Sequence, residues 1–306
     1  MASTTNQDDT ASDSASDSEA WLGRIDCSVL AEDDAAALAA RVARPAARGW
    51  APGFHEQIDG GATEFEFAFD RHAPAAVRVG LAWREQGTAS TVWDAALVML
   101  GWFDHDAAAF PEGWWRSRRV VELGAGTGVV GLGAATLGAA AVALTDLPGA
   151  LPALEANIAR CGGAASATAR ALPLSWGDDG PDAAAFDGAC DVVLCADVLL
   201  PYAKHLFGPL AASLARLLAR GSKAGDEAAK AAGPAPHRPV AFFAYERRFD
   251  VSSFFEMLES KHNIQVEVVA RARQHPAYRA PEIELLRCVM AKHELPMPPP
   301  LPAPQG

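Results

Sequence analysis

Several features that would each assign this chain of 306 residues to a definite class are missing from it. Its five cysteines, Cys27, Cys161, Cys190, Cys195 and Cys288, are odd in number and include no C-x-x-C pair. That argues against a disulfide framework or a zinc site and for a reducing compartment in which each cysteine packs as a small hydrophobe. No uncharged run of about 18 bulky apolar residues is present, so no segment reads as membrane-spanning and no membrane partner is expected. The first twenty residues hold five acids and neither Lys nor Arg. They lack the basic region of a signal or transit peptide and read as a disordered acidic arm. The eight histidines show no metal-ligand spacing, and no G-x-S-x-G elbow occurs. No metal is expected. Basic charge is also scarce: the net charge is −12, which repels phosphate backbones. The short cluster Arg116, Arg118 and Arg119 reads as a solvated approach to a strand, so no nucleic-acid partner is expected.

What is present is alternation. "TEFEFAFD" (Thr63–Asp70) and "AAVRVGLAWRE" (Ala75–Glu85) alternate with period two around a turn-like "RHAP" and read as a hairpin. "STVWDAALVMLGWF" (Ser90–Phe103) reads as a helix with a Ser or Thr available at its start. Strands are expected near 118–123, 140–145, 166–171, 190–196 and 239–245, and helices near 128–138, 148–160, 203–219 and 250–261. "HNIQVEVVA" and "EIELLRCVM" close the series as two more strands. Such alternation builds a parallel sheet with helices on both faces. The chain divides into the arm (1–20), an extension carrying the hairpin and a helix (21–117), a core (118–292) and a Pro-rich tail (293–306). An Ala/Gly/Lys-rich insertion at 221–239 is expected to be a mobile surface loop. No heptad seam stands out, and a monomer is expected.

The chemistry concentrates in "VVELGAGTGVVG". Gly124, Gly126 and Gly128 follow a strand directly and precede a helix, where the backbone turns sharply and a ligand can approach without a Cβ in the way. Asp146 ends the next strand, placed to accept hydrogen bonds from ribose hydroxyls. Two ligands fit the pattern. "GTGVVG" (Gly126–Gly131) matches the dinucleotide fingerprint but begins two residues late. The alternative, E-x-G-x-G-x-G at Glu122, Gly124, Gly126 and Gly128, suits S-adenosylmethionine, which has no phosphate; Glu122 would lie beneath its amino group.

Five segments in order, "VWDAALVML", "VVELGAGTGVVGLGAATLGA", "LTDLPGALPALEANI", "LSWGD" and "DVVLCADVLL", together with "YERRFDVSSFFEMLE", resemble the seven-β-strand protein-lysine methyltransferases of the methyltransferase-like 21 group, methyltransferase family 16. The resemblance implies an α/β fold: a class I, Rossmann-like seven-stranded methyltransferase sheet, mostly parallel with an antiparallel last strand, plus the N-terminal hairpin. It places Trp93 at the donor pocket, Gly124, Ala125 and Gly126 around the methionine moiety, Asp146 on the ribose, Trp176 beside the adenine, Ala196 after the fourth strand, and Asp197 first in the catalytic-face motif D-x-x-Y. An adenine favours an aromatic neighbour, which gives Trp176 in its polar loop a reason. Asp197, at the C-terminal end of an apolar strand, is expected in the binding crevice, where it would orient a substrate ammonium and accept a hydrogen bond during deprotonation. The motif's tyrosine is replaced by Leu200, and Tyr202, two residues on, is the catalytic candidate to replace its phenol unless it points elsewhere. The Arg247–Arg248 pair reads as partnering surface acids.

The resemblance thus implies a cytoplasmic or nuclear protein-lysine N-methyltransferase that uses S-adenosylmethionine on a lysine of a protein substrate. Two other readings stay open: a class I methyltransferase acting on protein arginine or histidine or on a small metabolite, and a non-enzymatic module that keeps the fold.

Overall fold

A computed structural model describes residues 63–82, 87–180, 190–219 and 238–291. The acidic arm, most of the insertion, the tail and Cys27 lie outside the described residues. The hairpin is β1 (Glu64–Ala68) and β2 (Ala76–Gly80), an antiparallel two-stranded sheet with Phe65 opposite Val79 and Phe67 opposite Val77. Helix α1 (Asp94–His105) follows and is buried on nearly every side. It packs on the main sheet within the same apolar cluster that takes Phe67, Val77 and Val79 of the hairpin, which is why its sequence is apolar all round. Its N-cap position is Trp93, without a side-chain cap, rather than the Ser or Thr expected. Asp104 ties the hairpin down by accepting the backbone N–H groups of Asp70 (2.8 Å) and Arg71 (3.0 Å).

The core runs β3 (Arg119–Leu123), α2 (Val129–Thr136), β4 (Ala141–Asp146), α3 (Leu151–Cys161), α4 (Gly163–Thr168), β5 (Ala169–Pro173), β6 (Val192–Ala196), α5 (Phe207–Leu218), β7 (Val240–Glu246), α6 (Ser252–His262), β8 (Ile264–Val268) and β9 (Ile283–Met290). The seven-stranded sheet has the order β5-β4-β3-β6-β7-β9-β8. Strands β5 to β7 pair in parallel, and β9 inserts antiparallel between β7 and β8. The expected fold class is what is observed.

Period-two alternation sorts the strand side chains onto two cores. Val120, Leu194 and Phe242 join α1, α2 and the hairpin on one face. Val121, Leu123, Val193 and Phe243 join α5 and α6 on the other. Two expectations need correcting. The strand expected from 166 starts at Ala169, because the Ala-rich "GAASAT" forms α4 instead. The helix expected from 203 begins at Phe207, after a 3₁₀ segment Pro201–Leu206. Pro209 has no N–H to donate and clashes in a helix interior, so it must lie in the first turn.

Candidate active site

The parallel strands β3, β4, β5 and β6 all end on one side of the sheet, and the loops that follow them line a cavity of about 560 Å³. That is the crevice where open α/β sheets bind ligands. Trp93, Glu122, Gly124, Ala125, Gly126, Asp146, Trp176, Ala196, Asp197 and Tyr202 all line it. Of the residues singled out above, Gly128 does not: it is the N-cap of α2, packed against Leu144 and Leu154, so its contribution is to the turn.

The turn is fixed from beneath. Thr145 donates its hydroxyl to the Glu122 carbonyl (2.6 Å), and the Ala125 N–H reaches the Thr145 carbonyl (3.0 Å). Asn157 of α3 bonds the Thr127 carbonyl (3.0 Å) and accepts from the Gly80 N–H (2.7 Å), so hairpin and turn share one anchor. Gly124 has φ +64°, and a Cβ there would lie 3.0 Å from the Trp176 ring and 2.9 Å from Val198. Its missing side chain keeps the ring close over the turn.

Glu122 is buried, facing α2, and accepts the Gly131 N–H (2.9 Å). A Cβ on Gly131 would stand 2.6 Å from the Glu122 carboxyl. The last glycine of the dinucleotide-like string therefore makes room for a carboxyl and for the strand beneath. Burial pushes the Glu122 carboxyl up to about 8, with the Gly131 bond opposing and Asp146 adding to the rise. Asp146 accepts the N–H groups of Gly126 and Leu147, each at 2.8 Å, and burial outweighs these bonds to raise its pKa too.

Asp197 lies in the crevice as expected, with a partner that the sequence did not suggest. It has φ +57°, a conformation that aspartate tolerates better than most residues, held by its N–H on the Ala244 carbonyl (2.8 Å). The turn aims the carboxylate at Arg248, whose two terminal nitrogens reach its oxygens at 3.0 and 2.6 Å. Arg248 also contacts Glu246 (2.8 Å), and its guanidinium lies 5.1 Å from the centre of the Trp93 ring. The Asp197 side chain is only 1% exposed. Burial disfavours the Arg248 charge, but the two carboxylates outweigh it and raise its pKa. Asp197 is thus held in a two-point fork by Arg248. Arg248 partners buried acids, not surface ones; only Arg247 pairs outward, with Glu284 (3.4 Å). Sequence reading also passed over Thr91, Ser175 and His205, which line the cavity. Nothing local marks Thr91 or Ser175, and His205 was set aside because it lacks metal spacing.

A family model described as lysine methyltransferase matches residues 76–230. The chain belongs to the lysine methyltransferase family. Among curated members, EEF1A lysine methyltransferase 3 of Mus musculus is 39% identical over 132 residues, 40% of this chain and 53% of that protein. Protein N-lysine methyltransferase METTL21A of Mus musculus is 34% identical over 157 residues, 51% of this chain and 66% of that one. The chain thus spans about half to two thirds of these relatives' lengths. Among solved structures, a T. Thermophilus 16S rRNA methyltransferase in complex with AdoMet and guanosine overlaps at TM-score 0.45 and 20% identity, covering 75% of this chain and 50% of that one.

Membership of the lysine methyltransferase family indicates S-adenosylmethionine as the cofactor. The residues present fit that group. The turn is open at Gly124, Trp176 offers an aromatic face, and Asp146 closes the far strand. The Thr91 hydroxyl is buried on the cavity wall with no hydrogen-bond partner among the described residues. An unmet buried hydroxyl costs about 1–3 kcal/mol, which a polar ligand would recover.

Proposed function

We propose that this chain transfers a methyl group from S-adenosylmethionine to a lysine side chain of a protein substrate. The observation that carries the reading is the single cavity. It joins the glycine turn, Asp146 and Trp176 to a wall of Trp93, Asp197, Leu200 and Tyr202.

When bound, the donor supplies a methyl on a positively charged sulfur. The turn residues Gly124 to Gly126, with Glu122 and Thr91, would hold its amino-acid part, Asp146 its ribose and Trp176 its adenine. Displacement at a methyl carbon needs alignment and exclusion of water more than acid–base chemistry. Trp93, Leu200 and Tyr202 supply that apolar channel. The attacking lysine must be neutral, against an ordinary pKa near 10.4, and burial in this channel pushes it that way. Arg248 holds Asp197 at the channel wall and also contacts Glu246 behind it. Asp197 acts here as a positioning residue, aimed by Arg248.

This reading places the protein in the cytoplasm or nucleus, acting as a monomer on another protein. EEF1A, from the name of one relative, is the first acceptor to try. The test is titration of S-adenosylmethionine into the chain, followed by labelled-methyl transfer to EEF1A and to cell extract, with mass spectrometry of the modified residue. Methyl on lysine supports the proposal. Label on arginine, histidine or a small molecule replaces it with another acceptor class, and donor binding without transfer to anything in extract replaces it with a binding module.

A further inference from the structure

At the opposite end of the sheet, guanidinium groups meet an aromatic floor. Because β3 and β7 run in one direction, Arg118 and Arg238, just before them, lie at the strands' N-terminal ends. Antiparallel β9 brings Arg287 to the same end, opposite Phe242. Arg273 joins them from the segment after β8. With Trp102, Trp114 and Phe242, these four arginines line a cavity of about 570 Å³, a size ordinary for small-molecule sites.

Two of the arginines are partly engaged: Arg273 with Asp106 (2.7 Å) and Arg287 with Glu267 (2.8 Å). Arg118 is not. Its side chain is buried, 9% exposed, with the guanidinium carbon 3.7 Å from the centre of the Trp114 ring. Its Nε has no hydrogen-bond partner among the described residues. Asp191 favours its charge at a distance, but that carboxylate is bonded to the backbone and side chain of Arg119. Arg238 is exposed, and no bond or ion pair joins it to the described residues. A buried guanidinium with an unmet donor is costly unless an acceptor arrives. In a chain of net charge −12, four arginines at one cavity are a local reversal of sign.

We propose that this second cavity binds an oxyanion carried on an aromatic ring, an aryl or heteroaryl phosphate or carboxylate, distinct from the methyl donor. The planar forks of Arg118 and Arg238 match the oxygen geometry of such a group. Half-buried Trp114, stacked with Arg118 and backed by buried Trp102 and Phe242, is the aromatic surface its flat body meets. The site uses no residue of the donor cavity, so it stands or falls apart from the methyl-transfer reading.

The test is calorimetric titration of the full chain with phenyl phosphate, benzoate, inorganic phosphate and phenol, with and without S-adenosylhomocysteine. The expected result is one phenyl phosphate or benzoate per chain, bound at least tenfold tighter than phosphate or phenol and unaffected by S-adenosylhomocysteine. The tighter of the two names the oxyanion. Arg238→Ala, at an exposed position, should weaken binding at least tenfold with the circular dichroism unchanged, and Arg118→Lys should do likewise by removing the fork. No binding by either aryl anion, binding indifferent to both variants, or competition by S-adenosylhomocysteine would overturn the proposal.

Discussion

The two ends of the sheet are built from opposite materials. At the C-terminal ends of the parallel strands, carboxyls turn inward: Glu122, Asp146 and Asp197 line one cavity, and Arg248 joins Asp197 to Glu246. At the N-terminal ends, arginines turn inward over tryptophan and phenylalanine. Phe242, in β7, forms part of the floor of the second cavity, and the same strand ends at Glu246 beside the first. A net charge of −12 is therefore an average over two ends of different local charge, and charge counted along a chain says little about charge at a site.

The largest expected effect breaks the pairing at the acidic end. Arg248→Met leaves Asp197 and Glu246 buried without their cation, and unfolding in urea should show a loss of about 3–5 kcal/mol. Arg248→Lys should recover part of that stability but not methyl transfer, since a point charge cannot hold both Asp197 oxygens. Equal transfer by both variants would mean that Asp197 needs no aiming.

Next comes Asp146→Ala. Hydrogen bonds to a charged group are worth about 1.5–3 kcal/mol, so calorimetry should show donor affinity falling about 10- to 100-fold. Phenyl phosphate binding at the far end should be unchanged; if both fall together, the two ends are not independent.

Glu122 gives a pH signature. Its carboxyl is pushed from 4.5 to about 8 on folding, so its contribution to stability is complete below 4.5 and fades as pH rises through about 8. Glu122→Gln, neutral throughout, should flatten that decline, read as Tm against pH across the same window. A parallel decline in the variant would assign the slope to other groups. The smallest effect is expected from Leu200→Tyr, which restores the family's aromatic. One ring contact is worth about 0.5–1.5 kcal/mol, so kcat/KM on a lysine substrate should rise about 2- to 10-fold. A fall would show that Tyr202 already fills the position.

The sequence by itself determined the strands, their alternation with helices, the hairpin, the glycine turn and the residues that end up beside it. These are local facts: period-two burial, glycines after a strand and an acid ending the next one are each written within a few neighbours. Segment boundaries were less legible where two local rules competed, as in "GAASAT", where helix propensity displaced a strand, and at Pro209, which set the start of α5. Only the tertiary structure decided the charge pairing. Asp197 and Arg248 stand 51 residues apart and meet because β6 and β7 are neighbours in register, with Asp197 just past β6 and Arg248 just past β7. Arg118, Arg238, Arg273 and Arg287 come from four segments, and Arg118 read as solvated until the sheet closed over it. A local pattern tells which face a side chain takes, whereas the partner of a buried charge depends on which strands lie side by side.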